Sequence, residues 1–327
     1  MTERILKWYR ANRIPYPWRR TNDPYRIWLS EILLQQTRIS VVIPFYESIT
    51  RKFPRLSDLA QADAAKFLAA WSGIGYYRRA QNMLSCAKQV QLKHGGKFPS
   101  ELSELLALPG IGKYTAGALR NLCFGILTPA IDGNITRVLA RITNQRDRID
   151  TRSFQTKIAE SFLDYGQGAT ASEYFQSLME LGEQVCLPKP RCADCPVRTD
   201  CVSFRAGSTS RIPRMPKLKK KETFHWYFLI LRSGARFYFA QNHDRPFLKQ
   251  AWMPPDHLAS KPISNSRLSS EFKKAWGLNF KDFSEAHSFR HTVTYRNIRV
   301  HVLMPKGVRG IRGRGKFLDP WKIDSLP

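Results

Sequence analysis

Leu108-Pro109-Gly110-Ile111-Gly112-Lys113-Tyr114-Thr115-Ala116-Gly117-Ala118 is the stretch on which the reading of this chain turns. Glycines at 110 and 112 permit a tight turn whose backbone N–H groups point outward. The residues that follow open a helix, and its N-terminus adds partial positive charge to the same place. Such a turn holds one phosphate without reading sequence. Two spaced glycines alone would describe an ordinary corner between helices. The Leu-Pro before them and the Lys-Tyr-Thr-Ala after them make the pattern much more specific.

Outward from this turn, residues 1 to about 205 are helical in pattern. Apolar residues recur at spacings of three and four, as in Ile27, Trp28, Ile32 and Leu33, or Phe67, Leu68 and Trp71. Pro and Gly punctuate the runs, and about ten helices with short connections are predicted. The segment 211–221, RIPRMPKLKKK, has two prolines, six basic residues and no acid, which reads as a solvated linker. After 222 the period becomes two. Residues 224–232, then Ser233-Gly234, then 235–242 predict a β-hairpin; 298–302 predict a further strand and 266–276 a helix. The tail is thus a small α+β domain with an antiparallel sheet. The expected organisation is a helical domain over 1–205, a basic linker over 206–221 and a second domain over 222–327.

The chain has 327 residues, with 53 Lys and Arg against 26 Asp and Glu, a formal net charge of +27. That excess points to a polyanionic partner, nucleic acid ahead of a membrane surface. No apolar run approaches the roughly 18 residues of a membrane span, and the charged N-terminus lacks a secretory h-region. Four of the six cysteines, Cys186, Cys192, Cys195 and Cys201, crowd together, as a metal or cluster site requires and a spread disulfide framework does not. On spacing alone a tetrahedral zinc and a four-iron cluster are equally open. Cys86 and Cys123 sit in apolar helical context and read as core.

Two carboxyls stand out. Glu31 interrupts Trp28-Leu29-Ser30-Glu31-Ile32-Leu33-Leu34, and its helical neighbours are Ile27, Trp28, Leu34 and Gln35. Poor solvation raises a carboxyl pKa and keeps it protonated, as a general acid requires. Asp132, in Ile131-Asp132-Gly133-Asn134, is by itself an ordinary N-cap. It gains weight from an acidic partner and a DNA-binding turn elsewhere in the chain.

Together these segments resemble the adenine DNA glycosylases of the MutY type, in the endonuclease III, helix-hairpin-helix superfamily. The resemblance is carried by Pro17-Trp18-Arg19, residues 23–37, 71–80, 108–118 and 132–141, Leu178-Met179-Glu180-Leu181-Gly182, and the four cysteines. It implies a mainly α, two-lobed fold, with a six-helix lobe over about 21–125, a cluster lobe formed by 1–20 and 126–205, and DNA in the cleft. It implies one [4Fe-4S] cluster on the cysteines, although the five-residue first gap is one shorter than the family's usual. By the same resemblance Glu31 protonates adenine N7, Asp132 stabilises the sugar cation, and Asn134 orients Asp132 or the sugar. Tyr114 stands where strand-cleaving relatives carry a Schiff-base lysine, so monofunctional hydrolysis is expected. Trp18, Arg19 and Gln176 match positions around the flipped base. Gln36 and Tyr76 match positions that enter the opened stack, Thr37 is a further DNA-binding position, and Gly110, Gly112 and Lys113 match the phosphate-binding hairpin.

The tail resembles the Nudix-like domain with which these enzymes recognise 8-oxoguanine opposite adenine. Residues 249–255 and Ser288-Phe289-Arg290-His291-Thr292 carry that resemblance, and no acidic Nudix box is present. Val293-Thr294-Tyr295 departs from the usual Phe-Ser-His, leaving Thr294 to offer a hydroxyl. The expected partner is double-stranded DNA with A:8-oxoguanine or A:G mispairs, bound by a cytoplasmic, nucleoid-associated monomer with no membrane role. A thymine or uracil mismatch glycosylase of the same superfamily, and a non-catalytic DNA-binding protein retaining the fold, are the rival readings.

Overall fold

The computed structural model describes residues 1–216, 221–241, 252–293, 295–308 and 315–320. The chain divides into two compact units, Met1–Pro216 and Lys217–Pro327.

The first unit is helical throughout and has two apolar cores. One gathers Trp18, Tyr25, Trp28, Leu33, Phe67 and Trp71 with their neighbours. The other gathers Ile5, Val138, Leu139, Phe162, Tyr174 and Leu178 with theirs. The helix Lys113–Cys123 is the wall between them: Ala116 and Leu119 face the first core and Ala118 the second. The helix Pro24–Leu34 packs against it on one side and Ala171–Gln184 on the other, while Ala171–Gln184 also packs on Gly133–Ile142.

Local chemistry explains these elements. Asp23 caps the Pro24–Leu34 helix by accepting from the Tyr25 N–H at 3.0 Å, with Pro24 pre-set at the first helical position. Tyr25 and all seven residues from Ile27 to Leu33 are buried, so this helix is enclosed on nearly every side. Gly182 lets two helices meet, since a Cβ there would lie 2.6 Å from that of Asn134. The predicted turn forms with Gly110 at φ +78° and Gly112 extended, as N-cap of Lys113–Cys123.

The second unit is α+β. Its strands are β1 Glu222–Leu229, β2 Arg232–Ser233, β3 Arg236–Gln241, β4 Trp252–Met253, β5 Asp256–Ala259, β6 Asp282–Val293, β7 Arg296–Lys306 and β8 Lys316–Leu318. One sheet has the order β5-β1-β7-β6; the other runs β2-β3-β4, with β8 pairing β3. The helix Asn265–Trp276 lays Leu268 and Phe272 against Tyr227, Leu229 and Leu303.

Two expectations are corrected. The first sheet is mixed, because β1 runs parallel to β7 from Glu222↔Arg296 to Leu229↔Leu303. The long hairpin is absent, because β1 and β3 belong to different sheets and the Gly234 turn joins only the two-residue β2 to β3. The cause lies in β1 itself. His225, Trp226 and Tyr227 are buried in succession, as in a strand covered on both faces and paired on both edges. The backbone N–H groups that follow go to distant partners, Leu229 to Pro255 O at 2.8 Å and Ile230 to Leu303 O at 2.9 Å.

Candidate active site

A cavity of about 440 Å³ opens in the first unit, bordered by Glu31, Tyr114, Asp132 and Asn134. Three helices bring these groups together: Glu31 from Pro24–Leu34, Tyr114 from the first turn of Lys113–Cys123, and Asp132 and Asn134 from the start of Gly133–Ile142. Trp18, Arg19, Thr37 and Gln176 border the same space.

Glu31 is only 9% exposed. Burial pushes its carboxyl up to about 7; the neighbouring Tyr114 hydroxyl pulls the other way, and the nearby charge of Asp132 adds to the rise. Asp132 is raised as well, chiefly by burial, but backbone N–H donors and Arg137 oppose the shift. Its carboxylate accepts from the Ile135 N–H at 2.7 Å, the N-cap bond expected at a helix start. The two carboxyls thus differ in environment: one is short of donors and holds a proton, the other faces backbone donors that favour charge. Tyr114 is held firmly neutral by burial and by both carboxyls.

The remaining predicted base contacts are already engaged. Arg19 pairs with Glu180, which is fully buried, and also donates to Ile14 O at 2.9 Å. Gln176 accepts from the Tyr9 hydroxyl at 3.1 Å and donates to Ser172 Oγ at 3.0 Å. Trp18 is stacked on Tyr16 with ring centroids 5.2 Å apart. Asn134 Oδ1 accepts from Arg137 at 2.8 Å, and Arg137 also donates to Cys186 O at 2.6 Å and Gly182 O at 2.8 Å. Sequence reasoning missed Glu183, which borders the cavity and accepts from the Tyr16 hydroxyl at 3.1 Å.

Gln36 and Tyr76 lie away from the cavity wall, both exposed and both in the left-handed region, at φ 59° and 52°. Non-glycine residues rarely rest there without support. Arg79 supplies it: its guanidinium donates to Ile32 O at 2.7 Å and to Gln35 O, and lies 5.0 Å above the Tyr76 ring. Lys113 is exposed at the hairpin. Thr294 lies outside the described residues.

The four cysteines of the 186–201 cluster border one small cavity. Burial raises Cys192, Cys195 and Cys201, and each is pushed further by neighbouring cysteines, so the sulfurs crowd one another electrostatically. Among the described residues, no three His, Cys, Asp or Glu side chains converge closely enough to hold a single metal ion. The loop is pinned by Arg141, 3% exposed, which donates to Leu187 O at 2.6 Å, Pro188 O at 2.9 Å and Ile212 O at 2.9 Å, with Cys186 Sγ at 3.4 Å.

Residues 29–162 match the HhH-GPD superfamily of base excision DNA repair proteins. The chain is 32% identical over 301 residues to an adenine DNA glycosylase of Buchnera aphidicola subsp. Baizongia pistaciae, covering 90% of this chain and 83% of that one. It is 29% identical to an adenine DNA glycosylase of Arabidopsis thaliana, of which it spans 60%, with 98% of its own length aligned. Among solved structures, a thermostable thymine-DNA glycosylase superposes with a TM-score of 0.57 at 27% identity, over 63% of this chain and 95% of that one.

Proposed function

The chain belongs to the adenine DNA glycosylase family, and from that premise we propose that it removes adenine mispaired with 8-oxoguanine or guanine in double-stranded DNA. The observation that carries this reading is the buried Glu31 carboxyl, raised to about 7, in one cavity with Asp132 and Tyr114. Adenine is a poor leaving group until it is protonated, and the sugar cation left behind needs stabilising. The flipped adenine occupies the cavity, and protonated Glu31 gives its proton to N7. The C1′–N9 bond then breaks, with its electron pair going to the neutral leaving base. The Asp132 carboxylate faces the cation on the sugar. A water adds at C1′, and the Glu31 carboxylate takes the proton it releases, which restores the acid. Tyr114 cannot form a Schiff base, so the strand stays intact after the base has gone.

Cys186, Cys192, Cys195 and Cys201 would hold a [4Fe-4S] cluster, and an all-thiol donor set around one cavity suits it. When bound, the cluster supplies a fixed scaffold for the loop that carries Lys189, Arg191 and Arg198. Aerobically purified protein should be brown, with iron and sulfide near the cluster ratio; colourless protein with stoichiometric zinc refutes the assignment. The second unit, through the exposed β6 segment Ser288–Thr292, reads the base opposite adenine.

The likeness to a thymine-DNA glycosylase favours thymine opposite guanine as the second reading. Base release from duplexes with A opposite 8-oxoguanine, A opposite G and T opposite G separates the two. Release of thymine alone overturns the adenine reading.

A further inference from the structure

The helix Ala171–Gln184 presents one face to the cavity. Ser172, Phe175, Gln176, Met179 and Glu183 all border it, and their spacing of three, four and seven residues places them on a single stripe. Two of the polar groups that sequence reasoning placed around the base are occupied. Gln176 is bonded through both ends of its amide, and the Arg19 guanidinium is committed to Glu180 and the Ile14 carbonyl. Glu183 differs. Among the described residues only the Tyr16 hydroxyl donates to it, and that bond goes to one oxygen, Oε1. Tyr16 is itself fixed by stacking on Trp18 and by the Arg19 guanidinium 4.9 Å over its ring. The half-buried carboxyl is therefore aimed by a rigid partner and keeps acceptor capacity.

We infer that Glu183 is a specificity-determining residue, whose carboxyl accepts a hydrogen bond from the exocyclic 6-amino group of the base held in the cavity. This rests on the adenine reading above. Glu31 meets the N7 edge, and the 6-amino group is the donor next to N7 on the purine. Burial raises the Glu183 carboxyl, as for a group short of donors, and an amino group supplies one. The same carboxyl disfavours a 6-oxo purine or the 4-oxo edge of thymine, because two acceptors would face each other.

The test measures single-turnover release of adenine, of purine (which lacks the amino group) and of hypoxanthine, each opposite 8-oxoguanine. The wild type, Glu183→Ala and Glu183→Gln are compared. Glu183→Ala should slow adenine release about tenfold or more, the scale of losing a hydrogen bond to a charged partner, and change purine release less than about twofold. Glu183→Gln keeps an acceptor oxygen and adds an N–H donor, so it should recover part of the adenine rate and raise hypoxanthine release relative to adenine. Equal slowing on adenine and purine makes Glu183 a packing residue only and overturns the inference, as does an unchanged adenine rate. If the wild type releases no adenine from any duplex, the parent reading fails as well. Adenine release by the wild type with either of the preceding results leaves that reading standing and removes this one.

Discussion

Glu31 carries two opposed consequences of one environment. The proposed chemistry needs a proton on its side chain, and burial keeps the proton on to about pH 7. Glu31→Gln removes the proposed general acid, so adenine release should fall by about 100- to 10,000-fold, with mismatch binding retained. The same substitution should stabilise the fold in alkali. The folded-state pKa lies above the unfolded value of 4.5, so between those values the native state holds more protons. Stability therefore falls as pH rises through that window and is lowest above about 7. The full shift corresponds to roughly 3 kcal/mol at most. Urea unfolding at pH 8 should find Glu31→Gln more stable than the wild type, with the difference vanishing near pH 4; equal stability at both values contradicts the burial argument. Tyr114 works in the opposite direction, since its neighbouring hydroxyl lowers the Glu31 pKa. Tyr114→Phe should accordingly move the alkaline limb of the excision profile to higher pH. A limb that moves down, or stays in place, assigns it to another group.

At the scale of elements, the site depends on how closely helices approach. Gly182 sits where a Cβ would press on Asn134, and Arg137 ties the Gly182 and Cys186 carbonyls to the Asn134 amide. Gly182→Ala should force the two helices apart, lower stability by about 1–3 kcal/mol and slow excision through the displaced Asn134. Thermal melting with single-turnover rates checks this, and a wild-type melting temperature would show that the helices yield freely. How far such features can be read from sequence depends on whether they are local. The hairpin at 108–118 and the buried setting of Glu31 were legible, because each is written in a contiguous stretch: glycine spacing in one, an apolar run in the other. Arg141 left a fainter trace, a cation between Val138 and Ile142 on an otherwise apolar helix face. Glu180, Glu183 and Arg79 left less, since each takes its meaning from a partner brought from elsewhere in the chain. Glu180 meets Arg19, Glu183 meets Tyr16, and Arg79 meets the carbonyls around Ile32. The mixed sheet escapes a local reading for the same reason. Alternation and a Ser-Gly pair describe a hairpin locally, whereas β1 lies between β5 and β7, the latter some seventy residues later.

At the scale of the whole molecule, the charge of +27 sets how the chain meets DNA. Each phosphate it neutralises adds about 0.9 to the slope of log K against log salt, so binding should weaken steeply between low and moderate salt. Lys113 is exposed beside the hairpin turn, and a cation that contacts a phosphate there would read no base. Lys113→Ala should therefore weaken binding to matched and mismatched duplexes by the same factor and reduce the slope by about one contact. A loss confined to mispaired DNA would instead make Lys113 part of recognition. Discrimination belongs to the other unit in this scheme. Residues Met1–Pro216 contain both helical cores and every group around the cavity, so a chain ending at Pro216 has what the proposed chemistry requires. That fragment should release adenine opposite guanine at a rate near that of the full chain. It should lose most of any advantage the full chain shows opposite 8-oxoguanine, because the β6 segment is gone. The comparison needs four single-turnover rates, two proteins on two duplexes. If the ratio between duplexes survives truncation, opposite-base discrimination resides in the helical unit, and the role proposed for the second unit fails while the excision chemistry stands.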